Sequence, residues 1–224
     1  MKRHFDDELR NIKEKVFRMG LLVLEAIKES TDALFERDSS KAQNVIRRDQ
    51  EINLQEIEID EVGHELIALY QPAASDLRLI TMVLKITNDL ERMGDQAVNI
   101  AEKAMILNQE PPVKSSQDLP RVVETVLKMV RDALDAFMDE DAAKAKTILE
   151  ADDIIDRFND QLYEEVQNII EKKPGSTRAG VSLIMVSHNL ERVGDLATNI
   201  AEDVIYVNRG VDVRHHIRER RADA

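Results

Sequence analysis

A thirteen-residue run occurs twice in this chain at a fixed offset of 100. Leu90-Glu91-Arg92-Met93-Gly94-Asp95-Gln96-Ala97-Val98-Asn99-Ile100-Ala101-Glu102 is matched by Leu190-Glu191-Arg192-Val193-Gly194-Asp195-Leu196-Ala197-Thr198-Asn199-Ile200-Ala201-Glu202, with ten of thirteen positions identical. Chance likeness between helices gives scattered apolar matches, whereas here Glu, Arg, Gly, Asp and Asn are shared. An internal repeat obliges the two halves to fold alike. With 33% charged residues and only 7 Gly and 5 Pro in 224 residues, the repeated unit must be helical. A core of Leu, Ile, Val, Met and Ala, with 4% aromatics and no Trp, suits helical bundles.

Apolar spacing and punctuation predict six long helices. The first spans about 5–36, with Leu9, Ile12, Val16, Met19, Val23, Ile27 and Leu34 as its apolar positions, and Asp38-Ser39-Ser40 offers caps for the second, about 41–69. Gln71-Pro72 ends that helix, because proline cannot donate the next hydrogen bond. The third starts near an expected cap at Ser75-Asp76 and runs to about 108, and a proline-bearing linker covers 111–120. In the second half the expected helices are 118–137, 141–171 and 178–208, with a break at Lys173-Pro174-Gly175-Ser176-Thr177. Short connections make neighbours antiparallel. The expected fold is therefore all-α, two up-down-up three-helix bundles over 1–110 and 111–208, followed by a polar, flexible tail over 209–224.

A net charge of -13 argues against a general nucleic-acid binder and favours cations or a basic partner surface. Cysteine is absent, which excludes disulfides and thiolate metal sites. The start has no apolar stretch behind its basic residues, and no run reaches the ~18 apolar residues of a membrane span. The expected location is cytoplasmic.

At ~100° per helical residue, Glu91, Asp95, Asn99 and Glu102 share one stripe, and so do Glu191, Asp195, Asn199 and Glu202. Folding each hairpin about its turn sets partners level with them. Asp49 and Asp95 both stand 23 residues from Pro72, and Asn53 and Glu91 both 19. Around Pro174, Asp152 and Asp195 stand at 22 and 21, and Asp156 and Glu191 at 18 and 17. Like charges ~4 Å apart cost up to a few kcal/mol each at surface-like dielectric. A hard cation bound by carboxylate and amide oxygens removes that cost. Asp49, Glu91, Asp95, Asp152, Asp156, Glu191 and Asp195 are therefore the candidate metal ligands, with Asn53, Asn99, Glu102, Asn199 and Glu202 around them. Gly94 and Gly194 each forgo ~1 kcal/mol of helix propensity, which marks close helix approach or room for a ligand, and Ala97, Ala101, Ala197 and Ala201 allow the same. The competing reading is plain ion pairing of these acids with surface cations, the role assigned to Arg92 and Arg192. Glu61-x-x-His64 is a weak di-iron signal, since Gln167 stands at the aligned position; His64 reads as a surface or packed histidine. His188 replaces Asn88 just before the second motif, where its ordinary role is structural and its sharper one a peripheral ligand. His215-His216 has no partner in the sequence. No P-loop, dinucleotide fingerprint or nucleophile elbow is present.

The doubled Leu-Glu-Arg-x-Gly-Asp motif, together with Gln71-Pro72-Ala73-Ala74-Ser75-Asp76-Leu77-Arg78-Leu79, resembles the PhoU family of bacterial phosphate-transport regulators, from Phe5 to about Asn208. The resemblance implies pseudo-twofold tandem bundles, multinuclear clusters of multivalent ions (Fe, Mn, Mg, Ca or Zn) on E/D-x-x-x-D motifs, and no catalytic activity. It also implies restraint of the high-affinity phosphate ABC transporter and of the phosphate two-component pathway. The partners would be the transporter's ATPase subunit, a phosphate-sensing histidine kinase and a second copy of the chain, with only peripheral, partner-mediated membrane contact. Asn53 departs from the acidic pattern, which implies a smaller or weaker first cluster. A metal-free helical scaffold and a carboxylate-bridged di-metal enzyme are the alternative readings.

Overall fold

The computed structural model describes residues 2–112 and 118–209. They form seven α-helices: α1 (Lys2–Phe35), α2 (Ser39–Tyr70), α3 (Ala74–Gln109), α4 (Leu119–Asp139), α5 (Ala142–Leu149), α6 (Asp152–Lys172) and α7 (Thr177–Arg209). A single 3-10 turn, Pro174–Ser176, precedes α7, and no strand occurs among the described residues. The expected tail beyond Arg209, with His215 and His216, and the linker over 113–117 lie outside the described residues.

The expected helix over 141–171 is two helices, a correction. Ala151 N–H bonds back to the Ile148 carbonyl and Ile154 N–H to that of Ala151, both three residues back, so the α-helical ladder is interrupted between α5 and α6. The backbone at Glu150 and Ala151 stays right-handed helical. No glycine or proline marks the break. Asp152 instead opens α6, where the helix dipole favours an acid. The α3 helix likewise departs from expectation: its cap is Ala73, with no side-chain hydrogen bond, two residues before the expected serine. Asp38 caps α2 as its chemistry requires, accepting from the Ser40 and Lys41 amides. Asp141 caps α5 in the same way. The preceding residues, Arg37 (φ 56°) and Glu140 (φ 52°), both take the left-handed conformation, so the two turns repeat as the sequence does.

The apolar stripes of all seven helices meet in one continuous core. Ile12, Val16, Met19, Val23 and Ile27 line α1; Ile80, Val83, Ile86, Leu90, Met93, Ala97 and Ile100 line α3; all are fully buried. Each of the Val, Leu, Ile and Met side chains among them is worth about 1.5–3 kcal/mol of burial. Within each half the helices pack as a bundle, and the halves join through α3 on α7 and α1 on α4. Lys85 pairs with Asp203, and Glu110 with Arg178. Moving from Lys85 to Glu110 thus moves the partner back from Asp203 to Arg178, so α3 and α7 are antiparallel. In that register Gly94 stands level with Gly194.

Candidate metal centres

On α3, Glu91 and Asp95 flank Gly94, and α2 crosses where a side chain on that glycine would lie. A Cβ there would stand 3.1 Å from Ile52 Cδ1 and 3.7 Å from Asp49 Oδ1. The second half copies this: a Cβ at Gly194 would stand 2.9 Å from Ile155 Cδ1 and 3.6 Å from Asp152 Oδ1. Both glycines therefore admit an acid from the neighbouring helix to the ridge that carries Glu-x-x-x-Asp. Counting from the turns sets Asp49 level with Asp95 and Asp152 with Asp195; the structure places these two acids beside the adjoining glycines, Gly94 and Gly194.

Electrostatics show how closely the acids interact. Burial raises the Glu91 carboxyl above its ordinary range, and the charges of Asp95, Glu56 and Asp49 raise it further, against a smaller pull from Arg92. Asp95 is raised by burial and then by Asp49. Asp195 is raised by burial, Glu191 and Asp156, with His188 and Arg192 opposing. Asn53 donates to Asp49 Oδ2 at 3.0 Å. That leaves Asp49 Oδ1 and Asn53 Oδ1 buried without a hydrogen-bond partner. A buried oxygen without a donor is costly unless a cation or water meets it. Two such atoms one turn apart, the Asp49 oxygen beside Gly94 of α3, suit a hard ion. Yet no three Asp, Glu or His side chains among the described residues are gathered as an ion's ligand shell.

Glu56, which the spacing argument passes over, belongs to the first set, as its effect on Glu91 shows. Aligning α2 on α6 through Ile52 and Ile155 reveals the signal: Asp49, Asn53 and Glu56 correspond to Asp152, Asp156 and Asn159. Acid and amide have exchanged places between the halves, so Asn53 does not leave the first set a carboxylate short. Asn159 is itself engaged, donating to Glu191 Oε2 at 2.7 Å and accepting from Ser187 at 2.8 Å. His188 Nδ1 lies 3.0 Å from the same Glu191 oxygen.

Asn99 and Glu102 continue the stripe along α3, but no hydrogen bond or ion pair among the described residues joins them to Asp49, Glu91 or Asp95. Asn199 is exposed and Glu202 half-buried on α7. Arg92, itself exposed, pairs one turn back on its own helix with the buried Asp89 at 3.3 Å. His64 is exposed and bonds the Asp60 carbonyl within its own helix.

Fold and sites together define a duplicated, all-helical protein in which the described residues carry two matched sets of oxygen-bearing side chains. The model of the PhoU domain matches it twice, over residues 16–104 and 119–204, and the chain belongs to the PhoU family. It is 41% identical over 214 residues to the phosphate-specific transport system accessory protein PhoU homolog of Aquifex aeolicus (strain VF5), covering 95% of this chain and 97% of that protein. The homolog of the same name in Pseudomonas putida is 40% identical, over 95% of this chain and 84% of that one. The crystal structure of PhoU from Pseudomonas aeruginosa superposes with a TM-score of 0.87 at 37% identity, covering 92% of this chain and 100% of that one. The phosphate transport system regulatory protein PhoU from Streptococcus pneumoniae gives 0.88 at 31%, over 93% and 99%. No described helix is long and apolar enough to cross a membrane.

Proposed function

We propose that this chain is a non-catalytic, cytoplasmic regulator of phosphate homeostasis that restrains a phosphate ABC transporter and its two-component signalling pathway, with multivalent cations held by its paired acid sets. The regulatory part rests on near full-length likeness to accessory proteins of the phosphate-specific transport system. The observation that carries the metal part is the pair of buried, unpartnered oxygens on Asp49 and Asn53, set against the mutually repelling Glu91 and Asp95. Asp49, Glu56, Glu91 and Asp95 would hold ions in the first half, and Asp152, Asp156, Glu191 and Asp195 in the second. A bound ion would supply positive charge that draws neighbouring helices together and offers a coordinating face to a partner. The partners in this reading are the transporter's ATPase subunit, the phosphate-sensing kinase and a second copy of the chain.

The test is genetic and physical together. Deleting the gene should raise phosphate uptake in phosphate-rich medium, the wild-type chain should restore restraint, and Asp95→Asn/Asp195→Asn should not, although it folds. Unchanged uptake on deletion contradicts the regulatory reading. The second reading, a metal-free helical adaptor, is favoured by the acids' not being gathered into a shell. Full restoration by the double variant selects it.

A further inference from the structure

The second half is open where the first is closed. Aligning α2 on α6 through Ile52 and Ile155, and α1 on α4 through the caps that follow them, Asp38 and Asp141, sets Lys15 and Glu58 against Asp118 and Gln161. Lys15 pairs with Glu58 across α1 and α2. Asp118 and Gln161 are an acid and an amide, so that ion pair is not repeated. On the near side of the helix break the second half stays tied, for Lys144 of α5 bonds Asp135 of α4 at 2.8 Å. Past the interruption at Ala151, α6 packs chiefly on α7 and only lightly on α4, unlike α2 on α1. Between α4 and α6 lies a cleft of about 380 Å³.

Its lining is apolar with a positive edge. Ile154, Arg157, Phe158 and Gln161 line it from α6, spaced as one helical face, and Arg121 and Val122 line it from α4 beside the cap residue Asp118. Val122 and Phe158 are buried, whereas Ile154 is 41% exposed. Arg121 is exposed, and no acid among the described residues pairs with its guanidinium. The chain carries 44 acids against 31 Lys and Arg, so a cleft edged by arginine runs against its overall charge. The volume is that of a binding cleft, ~300–1,000 Å³.

Resting on the regulatory reading above for the existence of a protein partner, we propose that the α4–α6 cleft docks one helix of that partner, apolar on the face turned inward and acidic beside it. Aliphatic side chains of the docked helix cover Val122, Ile154 and Phe158, and a carboxylate of the same helix meets Arg121. A helix laid in a groove is a recurring mode of recognition, read through anchors one turn apart. Complementary charge selects the acidic helix over a basic one and speeds its arrival. The first half offers no such place, because Lys15 and Glu58 draw α1 and α2 together.

The experiment is a fluorescence-anisotropy titration of the full-length chain against two labelled helical peptides of about 18 residues. Both carry leucine along one face; one has glutamate and the other lysine at the flanking positions. The glutamate peptide should bind at least about tenfold tighter than the lysine peptide. Arg121→Glu and Ile154→Glu should each weaken the glutamate peptide at least about tenfold, and Arg131→Glu, further along α4, should leave it within about twofold. All three side chains are exposed, so each variant should melt as the wild type does. Equal binding of the two peptides, no binding of either, or equal affinity in wild type and Arg121→Glu overturns the proposal. Phosphate uptake separates this result from the reading it rests on. If gene deletion raises uptake and Arg121→Glu restores restraint in full, the docking site falls and the regulator stands. If deletion changes nothing, the regulatory reading falls, and the partner proposed for this cleft falls with it.

Discussion

Asp49 and Gly94 fit together: the carboxylate on α2 reaches α3 at the one ridge position without a side chain, 3.7 Å from where a Cβ would stand. Gly94→Ala therefore sets two effects against each other. It gains up to about 1 kcal/mol of helix propensity, and it presses on the terminal methyl of Ile52 at 3.1 Å, which can rotate aside. Melting should move little, while crowding beside Asp49 should weaken cation binding about tenfold. Parallel thermal melts and Mn²⁺ titrations of the variant check this.

Gly20 has no such latitude. A Cβ there would stand 2.3, 2.6 and 3.0 Å from three atoms of Leu134, at the seam where α1 of the first half meets α4 of the second. Gly20→Ala should cost about 1–3 kcal/mol by overpacking. Gly175→Ala, with nothing within 4 Å, should be close to neutral. Urea denaturation of the two variants separates them.

Much of this was legible in the residues. The repeat at offset 100 implied two like bundles, and Pro72 and Pro174 implied where each hairpin turns. Counting from those turns set Asp49 level with Asp95 and Asp152 with Asp195, one residue from the glycines that each of the two α2 and α6 acids approaches. The break between α5 and α6 was not legible, because Glu150-Ala151-Asp152 contains no residue that forbids a helix. Glu56 was missed because position counting favours the i, i+4 pair, and only alignment of α2 on α6 exposes the exchange of Asn53 and Glu56 for Asp156 and Asn159. Nor does a sequence state rotation about a helix axis, so the hydrogen bonds of His188 and Asn159 to Glu191 had no signal.

Asp89 is buried at the seam between α3 and α7, and desolvation raises its carboxyl to about 6; Asp203 adds to the rise, while Arg92 and Lys85 oppose it. A carboxyl raised in the folded state stabilises the fold below its ordinary value near 3.8, and that contribution is lost as pH climbs through the folded value. Metal-free protein should therefore lose stability between about pH 4 and pH 6 through this group. Asp89→Asn, which copies Asn189 of the other half, should remove that slope and stabilise the chain by on the order of 2 kcal/mol at pH 7. Chelator-treated samples melted across this range provide the check.

Lys85 and Asp203 tie the halves across the same seam, with the Asp203 side chain only 6% exposed. Stranding a fully buried partner costs about 3–5 kcal/mol, and the half-exposed Lys85 lowers that figure. Lys85→Met, the residue at position 185, should cost about 2 kcal/mol. The loss should shrink when Asp89→Asn is combined with it, since Asp203 then faces one charge fewer. A double-mutant cycle in urea measures the coupling.

The account depends on paired acids holding ions once in each half. The direct measurement is the Mn²⁺ content of wild type, Asp95→Asn, Asp195→Asn and the double variant after loading and gel filtration, with melting recorded alongside. The predicted result is stoichiometric metal in the wild type, partial loss in each single variant, near-complete loss in the double variant, and a metal-dependent rise in Tm that follows the content. A wild-type chain that emerges without Mn²⁺, or a double variant that keeps the wild-type content, contradicts it.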